Sequence, residues 1–375
     1  MNSSLSAQPD RIAALDGLRG LAVLFVAIHH FGLHLPGWLD WGPVAPNIFF
    51  LLSGYLITRS LLKMQENPIP GQLFRYHARR LTRLLPALYA MLAVGWLVGL
   101  EEFREGMLWH ATFASNIQMV RQDEWSGYAS HLWSLSNQEQ FYLLWPLLLL
   151  LPVRWLLPAL LSICLGALVF RLWCLHVGAS EFFRWLMLPS SLDTFAAGGL
   201  IAWMQAARKG APLLASRWRW LAAGAAIGCW FLARHMRGGY GTNCLSLAFI
   251  DTFETTFFAW LLIEFLQHGR SLLARAFSFG PLRFVGRVSY GVYLWHMLVL
   301  LALAPLLDAL GLTATSHLGL RCGILVVASV GAAWLSWILL EKPAIEWGRR
   351  LTAPEGLFSV WHTRLTRFFG RIENA

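Results

Sequence analysis

Ten stretches of about 17 to 23 mostly apolar residues, separated by short polar or basic connections, run through the 375-residue sequence. They lie near residues 18–36, 43–62, 84–100, 135–151, 155–176, 191–206, 218–233, 250–267, 288–307 and 319–340. A run of that length, coiled at 1.5 Å per residue, matches the hydrocarbon core of a bilayer. Lipid offers no partner to backbone N–H and C=O groups, so such runs fold as helices that satisfy them internally. The expected fold class is therefore all-α: a polytopic membrane protein of about ten transmembrane helices. With 57% hydrophobic and 13% charged residues, little of the chain is left for a soluble domain. Residues 1–350 are expected to form the transmembrane domain. Residues 351–375, where aromatics alternate with Arg364, Arg367 and Arg371, are expected to be a basic amphipathic tail on the cytoplasmic leaflet.

The net charge of +10 could suggest a nucleic-acid partner, but its distribution points to topology. With a cytoplasmic N-terminus, 23 of the 30 Lys and Arg residues fall on the cytoplasmic side and seven outside. That asymmetry places both termini of an integral membrane protein in the cytoplasm. Nucleic acid is excluded as a partner, and membrane lipids are the expected surroundings. The first ten residues lack the basic region, short apolar core and small-residue cleavage site of a signal peptide, so the first run is expected to remain as a membrane helix. The five cysteines show no CxxC pair and read as small buried apolar residues, so no metal site is expected.

Chemistry concentrates in a few places. In RGLAVLFVAIHH, Arg19 and His30 are three helical turns and a small remainder apart, on one face with roughly 16 Å of rise between them. A cation and a titratable imidazole at two depths of one membrane helix suggest a site served from both sides. Asp16 precedes them. The second run holds Asn47 and then FFLLSGYLI, where Ser53, Gly54 and Tyr55 leave room for a close backbone or a ligand. In FRYHARRLTRLLPALY, Arg80 and Arg83 share a helical face, which suits either phosphate recognition or interfacial anchoring. The segment from Glu101 to His131 is the longest outside loop and could form a lid or an ordinary solvated surface. It leads into HLWSLSNQEQFYLLWP, where Glu139 is expected to pair with Arg19 or with the Arg80 group. Asp193, Asp251, Glu254 and His296 complete the set, each equally compatible with capping or packing.

Seven blocks, from LDGLRGLAVLFVAIHHF through NIFFLLSGYLI, RRLTRLLPALY, HLWSLSNQEQFYLLWP, SLDTFAAGGLIAW and SYGVYLWHM to the closing LEKP, resemble in the same order those of the acyltransferase 3 family of integral-membrane acyltransferases. The resemblance covers roughly residues 11 to 345. It implies an O-acyltransferase that moves an acyl group, most often acetyl, from cytoplasmic acyl-CoA to a sugar hydroxyl of an exported polysaccharide or glycolipid. The family's arginine and histidine fall on Arg19 and His30, with His29 outside the match. Its arginine pair falls on Arg80 and Arg83, and its glutamate on Glu139. Asn47, Gln138 and Ser191 stand where Asp, Glu and Arg are common, which bears on substrate choice. Some members carry a C-terminal esterase-like domain; none is expected here, so direct transfer is expected from the membrane domain itself.

The implied roles are His30 and Glu139 in catalysis, and Arg19, Arg80 and Arg83 on the acetyl-CoA phosphates. Asp16, Asn47, Ser53, Tyr55, Asp193 and His296 are substrate-binding or structural candidates. The partners implied are acyl-CoA and a glycan or lipid-linked sugar acceptor. Two other readings stay open: a transporter or flippase of an anionic or glycolipid substrate, weakened by the absence of an internal repeat, and an acyltransferase using succinyl or longer acyl-CoA. The charge asymmetry has a direct test. Reporter fusions at residue 375 and near Arg79 should report the cytoplasm, and one near Glu105 the outside; an external C-terminus would overturn the arrangement.

Overall fold

Small residues at helix crossings decide how this chain packs. The computed structural model describes residues 12–35, 39, 41–66, 71–208, 211–238 and 244–352. Within them the regular structure is helical, with no strand. The ten apolar runs lie on α1 (Ala13–His30), α2 (Ala45–Glu66), α3 (Gln72–Val98), α4 (Leu132–Leu144), α5 (Val153–His176), α6 (Leu188–Ala207), α7 (Arg219–Gly238), α8 (Cys244–Gln267), α9 (Ser289–Ala309) and α10 (Leu318–Ser336). A single π-helical turn, Trp337–Glu341, and a last helix, Lys342–Leu351, extend α10. Six helices among the described residues are long and apolar enough to cross a membrane: α1, α2 with the turn before it, α3, α5, α9 and α10 with its extension. The other four do not meet that measure; α4 has only 13 residues, and α6, α7 and α8 carry polar or charged side chains along their length. The tail expected over 351–375 lies outside the described residues beyond Thr352.

The SGY segment of α2 meets the AAGG segment of α6 backbone to backbone. A methyl group added at Gly54 would sit 1.9 Å from the Phe195 carbonyl oxygen, and one at Gly198 would sit 2.1 Å from that of Leu51. The room that Ser53 and Gly54 were expected to leave is thus taken by another helix. α1 is held in the same manner, since Gly17 and Gly20 meet the carbonyls of Phe277 and Leu282, and Gly286 meets that of Asp16. Around the α2–α6 crossing, Phe195 stacks on Phe50 and on Phe141, with ring centroids 4.6 and 3.9 Å away. These rings join α2, α4 and α6 in one apolar layer.

One charge buried away from this layer is fully engaged. Arg171 of α5, 1% exposed, directs all five of its N–H groups to partners. They are the Ala248 and Ser190 carbonyls, both Asp193 carboxylate oxygens and the Thr252 hydroxyl. Asp193 therefore joins α5, α6 and α8, and its guanidinium comes from Arg171 on another helix although Ser191 stands two residues before it. Arg219–Glu264 and Arg234–Glu254 join α7 to α8 in the same way.

The loop before α4 is folded through short helices, Glu101–Glu105, Met107–Ala111 and Ser115–Gln122. Buried His110 bridges the Ser115 hydroxyl and the Glu102 carbonyl at 2.8 and 3.2 Å, and burial pushes its pKa down to about 4. Asn116 then ties the loop to Asn137 and Gln140 of α4.

Backbone contact at Gly54 makes a specific prediction. Gly54→Ala should destabilise the protein by about 1–3 kcal/mol through overpacking. Gly166→Ala in α5, where nothing lies within 4 Å of the new methyl, should be neutral or stabilising by about 0.5–1 kcal/mol. Thermal unfolding of both variants in one detergent checks this; equal midpoints would mean that the α2–α6 crossing does not depend on glycine.

Candidate active site

Two polar clusters are built from the same pair of helices, α4 and α9. On α9, Tyr290, Tyr293 and His296 recur every three residues, so they occupy neighbouring parts of one face. Tyr290 donates to the Leu84 carbonyl of α3 at 2.8 Å. Tyr293 donates to the His131 carbonyl just before α4, and the Ser134 hydroxyl lies 3.0 Å from its oxygen. His296, 0% exposed, reaches α1: its Nε2 is 2.8 Å from Nδ1 of His30, and its Nδ1 is 2.8 Å from the Tyr293 carbonyl.

These contacts fix the tautomers. A carbonyl oxygen only accepts, so Nδ1 of His296 carries the proton and, in the neutral ring, its Nε2 carries a lone pair. Nδ1 of His30 must then be the donor, which leaves the lone pair of His30 on Nε2. An imidazole held in one tautomer with a lone pair directed away from its orienting partner is the arrangement of a general base. His29, the next residue, faces elsewhere: its Nδ1 is 3.2 Å from that of His34, and its ring borders Gly42 in the turn before α2.

His131 also packs against His296. The His296 ring centroid lies 5.0 Å from that of His30 and 4.9 Å from that of His131. His131 is 3% exposed, and neither of its ring nitrogens has a hydrogen-bond partner. The nearby Tyr128 backbone falls short of hydrogen-bond geometry. A buried polar group left in that state costs roughly 1–3 kcal/mol.

The second cluster lies about 9 Å of helical rise from His296 toward the start of α9, at the level of Tyr290. Arg80 grips Glu139 with two parallel hydrogen bonds, Nε to Oε2 at 3.0 Å and Nη2 to Oε1, and its guanidinium carbon lies 3.0 Å from the centre of the Tyr142 ring. The Tyr142 hydroxyl donates to Ser53 at 2.6 Å, and the Gln138 amide donates to Ser53 and to Tyr142 at 2.9 and 3.2 Å. An amide at position 138 supplies the N–H that a carboxylate would lack. Of the two arginines expected to grip phosphate, Arg80 is thus committed to Glu139, whereas Arg83 is exposed. Buried Glu341 at the end of the π-helical turn lies within electrostatic reach of Arg83 and accepts a hydrogen bond from Ser336 at 3.5 Å. π-Helical turns inside α-helices recur at functional sites because the extra residue re-aims a side chain.

The other expected residues are dispersed. Arg19 is half-buried near the middle of α1, well before His30 and next to the Gly20 crossing, and Asp16 is buried one turn earlier against Gly286. Asn47 is half-buried in the first turn of α2. The Tyr55 hydroxyl donates to Gln205 of α6 at 2.8 Å. Sequence reasoning passed over His131, Tyr290, Tyr293 and Glu341. The tyrosines had a readable signal in their three-residue spacing from His296, and His131 in its place at the head of the polar α4 block.

The family model described as an acyltransferase domain matches residues 12–341, and the chain belongs to that family of membrane acyltransferases. It is 30% identical over 363 residues to a peptidoglycan O-acetyltransferase, OatA, of Listeria monocytogenes, covering 88% of this chain and 55% of the relative. It is 28% identical over 363 residues to a putative peptidoglycan O-acetyltransferase, YrhL, of Bacillus subtilis, covering 88% and 54%. It is 27% identical over 318 residues to an O-acetyltransferase, OatA, of Staphylococcus aureus, covering 77% and 50%. The chain spans about half the length of these relatives. No solved structure matches it.

The Arg80–Glu139 pair yields a stability prediction. Its side chains are 19% and 8% exposed, and Glu139→Gln would strand a largely buried guanidinium at a cost on the order of 3–5 kcal/mol. Arg80→Met combined with Glu139→Leu should cost less than either single change. A thermal-unfolding double-mutant cycle measures the coupling; a Glu139→Gln variant as stable as wild type would show that the pair does not hold α3 to α4.

Proposed function

We propose that this chain is an integral-membrane O-acetyltransferase that takes an acetyl group from acetyl-CoA at the cytoplasmic face and delivers it to a hydroxyl of an envelope glycan, of the peptidoglycan type that its relatives' names specify. In this reading it crosses a bacterial plasma membrane ten times, with both termini in the cytoplasm. The observation that carries the reading is the His30–His296 hydrogen bond, which leaves the Nε2 lone pair of His30 available to a reacting hydroxyl.

The step is an acyl transfer. As the acceptor oxygen bonds to the thioester carbonyl carbon, its proton passes to Nε2 of His30. The C–S bond then breaks, and His30 gives that proton to the departing CoA thiolate. Each partial positive charge on His30 is shared with His296 through the Nδ1 hydrogen bond, and His296 also fixes the ring's orientation. At the other end of α9, Arg83 and Arg19 would receive the CoA phosphates, while Glu139 acts on Arg80 by fixing its guanidinium over Tyr142. Ser53, Gln138 and Tyr142, which belong to the Arg80–Glu139 cluster on α2 and α4, would line the path of the pantetheine arm.

Replacement of the two neighbouring histidines tests this reading. His30→Ala should lower acetyl transfer by roughly 10²- to 10⁴-fold at matched protein levels, with acetyl-CoA binding nearly intact. His29→Ala, whose ring faces Gly42 and His34, should retain most activity. The measurement is labelled acetyl incorporation by membranes carrying each variant; an active His30→Ala protein would refute the assignment of the base.

A further inference from the structure

The unpartnered imidazole of His131 is the feature that the base mechanism leaves unused. Acyl transfer needs a lone pair to take the hydroxyl proton and a donor to meet the negative charge that grows on the carbonyl oxygen. Around His296 most polar hydrogens are already committed. His30 Nδ1–H points to His296, His296 Nδ1–H to the Tyr293 carbonyl, and the Tyr293 hydroxyl to the His131 carbonyl. The Ser134 hydroxyl, 3.0 Å from the Tyr293 oxygen, is left to donate to it. The ring N–H of His131 stands apart from these because nothing accepts it. Its position is nevertheless fixed, since the Tyr293 bond pins the His131 backbone to α9 and the ring meets His296 edge-on at 69°.

We infer that His131 is a catalytic hydrogen-bond donor: its ring N–H binds the thioester carbonyl oxygen and stabilises the oxyanion formed when the acceptor hydroxyl attacks. This rests on the reading of His30 as the base acting on acetyl-CoA. Carbonyl π electrons move onto the oxygen facing His131 as the new C–O bond forms, and they return when the C–S bond breaks, so His131 exchanges no proton. A neutral donor suits this task, because a buried ring that stays uncharged polarises the carbonyl without requiring a counter-ion. On this account the substrate carbonyl completes the hydrogen bonding of this buried ring.

The test uses two pairs of similar shape in the purified full chain, His131→Gln against His131→Met and His131→Asn against His131→Leu. Gln and Asn keep an N–H donor that Met and Leu lack. Two rates are read, acceptor-free hydrolysis of acetyl-CoA and transfer to an N-acetylglucosamine oligosaccharide. Met and Leu should lower kcat of both reactions by about 10²- to 10³-fold with little change in KM, and Gln or Asn should recover at least tenfold of that loss. If one pair does not give folded protein, the other decides. The inference is overturned if hydrolysis is unchanged while the acceptor KM rises, which would make His131 an acceptor-binding residue. It is equally overturned if the donor and non-donor variants are alike. His30→Ala, assayed in parallel, separates the two claims: full activity there refutes the base, while a loss there beside inert His131 variants refutes only the donor. Absence of acetyl-CoA turnover in the wild type would sink both.

Discussion

The hydrogen bond between His30 and His296 is the interaction on which the site depends, because it decides which nitrogen of a half-buried ring can do chemistry. Two neutral imidazoles in contact are symmetric until a third group breaks the tie. Here the Tyr293 carbonyl does so, fixing His296 and through it His30. The helices that supply these groups are held by backbone-to-backbone crossings at Gly17, Gly20, Gly54, Gly198 and Gly286, where a methyl group would collide with a carbonyl. Such crossings keep α1 and α2 in place without long side chains, and that rigidity suits a site in which a displacement of about 1 Å is costly.

Buried polar groups fall into two kinds by whether their hydrogen bonds are complete. Arg171 has all five N–H groups engaged and simply joins three helices. Asn116 and Gln140 similarly tie the preceding loop to α4. His131, by contrast, lacks a partner, and His30 keeps an open lone pair. In an apolar interior, incompleteness of this kind is expensive and persists where a ligand completes it. The two clusters also share α4 and α9, so a substrate reaching from Arg83 to His30 would lie along helices already fixed to each other by Tyr293 and Ser134.

Much of this was legible in the sequence, for physical reasons that differ by residue. Apolar length revealed the helices of α1, α2, α3, α5, α9 and α10, since a bilayer imposes one span length. The three-turn spacing on α1 placed Arg19 and His30 on one face, because helical periodicity is local information. Glu139 was expected to pair with Arg19 or the Arg80 group, and Arg80 is its partner. Pairings between distant helices were not legible: Arg171 with Asp193 is 22 residues apart, while His30 with His296 is 266. The phosphate grip expected from Arg80 and Arg83 together reads differently in three dimensions, because spacing shows a shared face and not which guanidinium is already taken. His131 could be noticed at the head of the polar α4 block, but its missing partner could not, because only the fold shows that a polar side chain has none.

Nitrogen-15 NMR of the full chain in nanodiscs, with labelled histidine and His30 assigned by its loss in His30→Gln, measures the central claim directly. The account predicts that near neutral pH His30 is neutral and protonated on Nδ1, with a non-protonated Nε2, and that His296→Ala abolishes this single-tautomer signature. A His30 resonance protonated on Nε2, or one unchanged by removal of His296, would contradict it.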